Sequence, residues 1–276
     1  MGGSLGLALK ARGLAERVAG FARRSETRRL AIERGVVDRA FDCAEDAVKG
    51  VDLAVFCTPI LSIPPLVRAC EPHFAPQCLV TDVGSTKAEL IKELRAILTH
   101  GRGLFVGSHP MTGSEQAGLE AARADLYEGA VVVVTPDAQA DRQATAALIG
   151  FWKSLGSRVV LTDPEAHDRM VARTSHIPHV VAAALVSSAG RDGVSSIRDF
   201  CGPGFRDTTR VAEGSPDVWM DIIRTNRESV RLELQAFEKR VHEITTLLDS
   251  GRFKEMQDFL EESKRKREGL FRQEPR

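Results

Sequence analysis

"MGGSLGLALK", residues 1–10, sets small residues ahead of an apolar, helix-forming run. A phosphate-binding turn enters its helix in this way. In a dinucleotide-binding unit the first strand ends in G-x-G-x-x-G, where the first glycine makes the turn, the second admits the pyrophosphate and the third packs helix on strand. Taking Gly2 as the third glycine leaves the first two, and the strand before them, upstream of Met1. We therefore expect the chain to start inside the loop, with Gly2, Gly3 and Ser4 offering backbone N–H groups to a cofactor phosphate. The stretch "GRGLFVG" at 101–107 has a G-x-G but precedes a strand, so it does not supply the missing turn.

Outward from this opening, short β-branched runs alternate with stretches of helical composition. Strands are expected at 17–22, 52–57, 79–83, 104–106, 130–135 and 158–161. Helices are expected between them, at 27–33, 87–98 and 141–155. Such alternation predicts an α/β fold, a doubly wound, Rossmann-like parallel sheet with helices on both faces. The pattern changes at "TDPEAHDRM", where Asp163 is placed to cap a helix, Pro164 to occupy its first position and Glu165 its first turn. Beyond it almost everything reads as helix, with a kink expected at Pro178. This divides the chain into a dinucleotide-binding domain, 1–163, and a helical domain, 164–276, for substrate and dimerisation.

The composition narrows the partners. Lys plus Arg equals Asp plus Glu at 38 each, so no global basic field draws the chain to nucleic acid or to a membrane. A small-molecule substrate is the expected partner. Five scattered cysteines without a C-x-x-C pair suit reduced thiols in the cytoplasm. No apolar run reaches the ~20 residues that span a bilayer.

Candidate site residues follow from their places at strand ends, where an open α/β sheet binds its ligands. After the strand at 17–22, Ala22 stands where an acid would accept the ribose hydroxyls of NAD, and Arg23, Arg24 and Ser25 follow. A guanidinium fork there suits a ribose phosphate, which favours NADP over NAD within an NAD(P) site. Thr58 and Pro59, after Cys57, are expected along the cofactor. His109 in "VGSHPMTGSEQAG" sits at the end of a strand, where a histidine can take a hydroxyl proton during hydride transfer. Ser85 in "TDVGSTK" is available for chemistry if Thr86 and Glu89 form a capping box. His176 and His179 are spaced i and i+3, but nothing completes a metal site around them, and no metal is expected.

Four segments in matching chain order, "TDVGSTK" at 81–87, "GSHPMTGSEQAG" at 107–118, "TSHIPHV" at 174–180 and "GPGFRDTTR" at 202–210, resemble the prephenate and arogenate dehydrogenases of tyrosine biosynthesis. "SPDVWMDI" downstream is a fifth. The resemblance implies oxidative decarboxylation of prephenate to 4-hydroxyphenylpyruvate, with hydride passing to NAD(P), in a homodimer formed through the helical domain. It implies that His109 is the catalytic histidine and Ser85 its assistant, that Arg210 binds a substrate carboxylate and that His179 lies near the ring. Arg206 and Asp207 either pair with each other or line the same site, and Ser114 and Glu115 shape the pocket. Arogenate is the alternative substrate. A β-hydroxyacid-type dehydrogenase and a nonenzymatic dimeric binding protein are the alternative classes.

Overall fold

A computed structural model describes residues 1–99, 102–112 and 118–272. It divides into two compact units, Met1–Ser229 and Val230–Arg276.

The first unit opens with helix α1 (Gly2–Ala11). Its glycines are packing residues: a Cβ on Gly6 would lie 2.3 Å from the Val36 carbonyl oxygen, and one on Gly3 would lie 2.6 Å from Leu119 Cδ2. Helix α1 can lie this close to its neighbours only without side chains at those points. Strand β1 (Ala19–Phe21), helix α2 (Ser25–Glu33) and strand β2 (Arg39–Phe41) follow. The parallel pair β1–β2 includes a strand that the sequence did not announce, because "RAF" is too short to show a period. Next come α3 (Ala44–Ala47), β3 (Leu53–Phe56), α4 (Ile63–Cys70), β4 (Cys78–Asp82), α5 (Ala88–Ile97) and β5 (Gly103–Phe105). Strands β3, β4 and β5 pair in parallel in that order. A core of Phe56, Ile63, Val67, Val80, Leu94 and Phe105 lies against them.

The third strand group departs from the all-parallel expectation. Strand β6 (Gly107–Met111) pairs antiparallel with β7 (Val131–Thr135), which pairs in parallel with β8 (Arg158–Leu161) after helix α6 (Arg142–Ser154). His109 therefore lies inside a strand of its own and not at the end of the strand expected at 104–106. Gly107 permits the pairing, since a Cβ there would lie 2.6 Å from Thr135 Oγ1. Pro110 is tolerated because β6 is an edge strand of this group. Tyr127, Leu148 and Trp152 form a second buried core here.

Helix α7 (Pro164–Val171) starts as its sequence predicts: the Asp163 carboxylate accepts the Ala166 N–H at 2.7 Å. The expected kink at Pro178 takes a different form. A π-helical turn at Ala172–His176 absorbs the break, and α8 (Ile177–Ala189) begins anew with Pro178 in its first turn, where a missing N–H costs little. Short 3₁₀ turns lead to α9 (Pro203–Thr209), a further turn at Arg210–Glu213, α10 (Pro216–Thr225) and the start of α11 (Arg227–Asp249). The second unit holds the rest of α11 and α12 (Phe253–Phe271). Among the described residues no helix is long and apolar enough to cross a membrane.

Candidate active site

The end of β4 and the start of β6 are bound together by buried polar groups. Asp82 and Lys87 are both fully buried and form an ion pair. One Asp82 oxygen also accepts the Gly84 N–H at 2.7 Å, and the other accepts the Ser108 N–H at 3.3 Å. Lys87 Nζ donates to the Ser108 carbonyl at 2.9 Å, and the Ser108 hydroxyl donates to the Asp82 carbonyl at 2.6 Å. Burial pushes the Lys87 ammonium toward its neutral form, while Asp82 pulls it back.

Next to Ser108, His109 is part-buried. Its Nδ1 lies 2.9 Å from His167 Nε2, and His167 Nδ1 lies 2.8 Å from an Asp168 oxygen. Asp168 also accepts the backbone N–H groups of Lys87 and Ala88, at 2.8 and 2.9 Å. It therefore caps α5 from a residue eighty positions away. This corrects the expected capping box: Thr86 instead meets Thr225 Oγ1 at 2.7 Å, and α5 has no local side-chain cap. The carboxylate of Asp168 reaches α5 first because α7 is packed against that end. The His109 pKa lies well below the ordinary histidine value, chiefly from burial, with His167, Lys87 and His176 adding to the effect. The ring is thus neutral at physiological pH.

Around the π-helical turn, His176 is buried, lies 3.2 Å from the Asn226 side-chain nitrogen and meets Trp219 edge-on. Burial lowers its pKa to about 4. His179 stacks on Trp219 with ring centroids 3.5 Å apart, and its Nδ1 is buried without a hydrogen-bond partner. Burial lowers its pKa also, with the Val211 backbone acting in the opposite direction.

On the nucleotide side, the first hydrogen bond of α1 runs from Leu5 N–H to the Met1 carbonyl, so the N–H groups of Gly2, Gly3 and Ser4 precede the helical ladder. The Ser4 hydroxyl accepts the Arg123 N–H at 3.2 Å and is spent on packing. A Cβ on Gly2 would lie 3.1 Å from Cys57 Cβ, which places the start of α1 beside the end of β3. There the Thr58 hydroxyl is buried without a partner. Arg23, Arg24 and Ser25 are exposed at the turn between β1 and α2. Arg28 holds that turn through the carbonyls of Ala22 and Arg23, at 2.7 and 2.9 Å.

Ser85 is half-buried in the turn between β4 and α5. Arg206, Asp207 and Arg210 are exposed on and after α9, and Arg206 donates to the Cys201 carbonyl at 3.1 Å, not to Asp207. Ser114 and Glu115 lie outside the described residues. The residues that sequence reasoning passed over are Asp82, Lys87, His167, Asp168, Trp219 and Asn226. Their available signal was slight: polar residues at a strand end in "TDVGSTK" and an adjacent His-Asp in a helix start.

Two family models match the chain. Residues 5–161 match prephenate dehydrogenase, nucleotide-binding domain, and residues 163–262 match prephenate dehydrogenase, dimerization domain. A prephenate dehydrogenase of Bacillus subtilis is 31% identical over 98% of this chain and 73% of its own length. The structure of prephenate dehydrogenase from A. aeolicus in complex with hydroxyphenyl propionate and NAD+ superposes with a TM-score of 0.90 at 29% identity, covering 97% of this chain and 94% of that one. Arogenate dehydrogenase of Synechocystis gives a TM-score of 0.84 at 29% identity, covering 97% and 95%.

Proposed function

The chain belongs to the prephenate dehydrogenase family, and from that premise we propose that it oxidises prephenate to 4-hydroxyphenylpyruvate and carbon dioxide, in the tyrosine pathway, as a cytoplasmic homodimer. The observation that carries this reading is His109, neutral and hydrogen-bonded through His167 to Asp168. A bound nicotinamide dinucleotide supplies the hydride acceptor. His109 holds the ring hydroxyl and takes its proton as the carbon beneath becomes a carbonyl. Loss of the carboxylate from the quaternary carbon makes the ring aromatic, and the proton returns to the phenolate oxygen. The protein's work is positioning and proton transfer, since aromatisation supplies the driving force.

Ser85 assists His109. Arg210 fixes a substrate carboxylate, a task suited to a planar, permanently charged fork, with Arg206 and Asp207 along the same turn. The unpartnered Nδ1 of His179 supports a contact with substrate, because a buried polar atom gains most from a partner supplied by a ligand.

The residues fit a dinucleotide: the orphaned Thr58 hydroxyl and the start of α1 adjoin one another at the end of β3. Gly2, Gly3 and Ser4 hold phosphate through their backbone, and Thr58 and Pro59 run along the cofactor. Arg23, Arg24 and Ser25 favour the ribose phosphate of NADP. Equal or tighter binding of NAD, measured by titration, refutes that preference. Pairing through the helical region is supported by the exposed Leu232, Phe237, Val241, Leu248 and Leu260. A monomer by light scattering refutes it.

The test of the whole reading is the rise of reduced-nicotinamide absorbance with prephenate and NADP+ or NAD+ on the folded chain. Turnover of arogenate alone selects the second reading, which the likeness to the Synechocystis enzyme favours. No turnover of either substrate refutes both.

A further inference from the structure

The chemistry proposed for His109 requires one ring nitrogen to be bare, and the question is what decides which one. A neutral imidazole has one N–H and one lone pair, and the hydrogen bond at one nitrogen dictates the state of the other. We propose that His167 and Asp168 act as positioning residues that fix His109 as the Nδ1–H tautomer, leaving Nε2 bare for the substrate hydroxyl. This rests on the reading of His109 as the base.

The assignment runs inward from Asp168. Its carboxylate accepts from two backbone N–H groups, those of Lys87 and Ala88, which places it at the donor end of α5. A carboxylate surrounded by donors offers only acceptors. His167 Nδ1, 2.8 Å away, must therefore carry a proton and donate it. In its neutral form, with the proton on Nδ1, His167 presents a lone pair at Nε2. His109 Nδ1, 2.9 Å from that lone pair, carries the proton between them. Both rings are held in place: they meet edge-on with centroids 5.2 Å apart, and His167 is almost wholly buried. Helix α7 is anchored in turn, since Asn226 donates to the Asp168 carbonyl at 2.7 Å. When His109 accepts the hydroxyl proton at Nε2, the positive ring keeps its Nδ1–H on His167, whose other side rests on the carboxylate. No proton need leave His109 until it returns to the product oxygen.

Three independent readouts test this. In the folded chain with ¹⁵N-labelled histidine, two-bond proton–nitrogen correlations report the tautomer of each ring without any substrate. We expect His109 protonated at Nδ1 and bare at Nε2; the opposite tautomer overturns the proposal. His167→Phe keeps the ring volume but removes both hydrogen bonds, and we expect kcat for prephenate to fall by about 10²-fold while the KM for cofactor stays within about threefold. A fall of less than about threefold overturns the proposal. His167→Gln retains one acceptor and one donor at the same separation, and we expect it to recover at least about tenfold of the loss. Failure to recover, in a folded variant, shows packing and not polarity at work and also overturns it. A wild-type chain that turns over neither prephenate nor arogenate refutes the catalytic reading. The tautomer measurement still decides the relay in that case.

Discussion

The two regions proposed to form the site are built in opposite ways. The floor around His109 is buried and assembled from groups far apart in sequence: Asp82 and Ser108 from two strand ends, Lys87 from the start of α5, His167 and Asp168 from α7. The segment bearing Arg206 and Arg210 is exposed, local and made of one short helix and a 3₁₀ turn. Proton transfer needs a fixed geometry and a shifted pKa, which burial supplies. The anion binding proposed for Arg210 needs a charged fork that can be reached, and Arg210 is exposed.

If this contrast is right, substitutions in the floor should cost turnover or stability, and those in the turn should cost binding. The largest effect is expected for His109→Asn, which should lower kcat by roughly 10²–10⁴-fold with little change in fold, as read by steady-state kinetics and circular dichroism. Lys87→Met comes next. It leaves the Asp82 carboxylate buried without its cation, and chemical denaturation should show a loss of roughly 3–5 kcal/mol. Arg210→Ala should raise the KM for prephenate by about tenfold or more while kcat falls less, since one charged hydrogen-bonding partner is worth roughly 1.5–3 kcal/mol. A collapse of kcat at unchanged KM would move Arg210 to the other side of the comparison.

The smallest effect sharpens the contrast through pH. His176 titrates near 4 in the folded chain and near 6.5 unfolded. Between these values the unfolded chain binds more protons, so stability is full above about 6.5 and declines as the pH falls toward 4. Thermal melts should record that decline, and a flat profile over this window would show that His176 is not held neutral by burial.

The same contrast explains what could be read from the chain. The strand–helix alternation, the Asp163 cap and the change to helices after it were legible because each is carried by neighbouring residues. Arg210 and His109 were singled out through short segments that resemble a known family. His167 and Asp168 were not, although "EAHDRM" lay in view. A helix start rich in charge looks the same whether its carboxylate faces water or caps a helix eighty residues away, and only the packing of α7 on α5 distinguishes them. The Thr86–Glu89 expectation failed for that reason: a local capping pattern lost to a distant carboxylate in a better position. Strand β6 was not expected, because the strand at 104–106 was taken to end before "GSHPM", whose glycine and proline do not read as strand, whereas an edge strand and a close approach accommodate both.

Asp168 has two tasks in the proposed scheme, since one side chain both caps the start of α5 and holds His167, the residue proposed to orient His109. Random mutagenesis should therefore find this position intolerant in screens for folding and in screens for catalysis alike, with no variant separating the two phenotypes. Directed evolution toward a different operating pH has His167 as its freer handle, because that ring can be exchanged while the end of α5 stays closed.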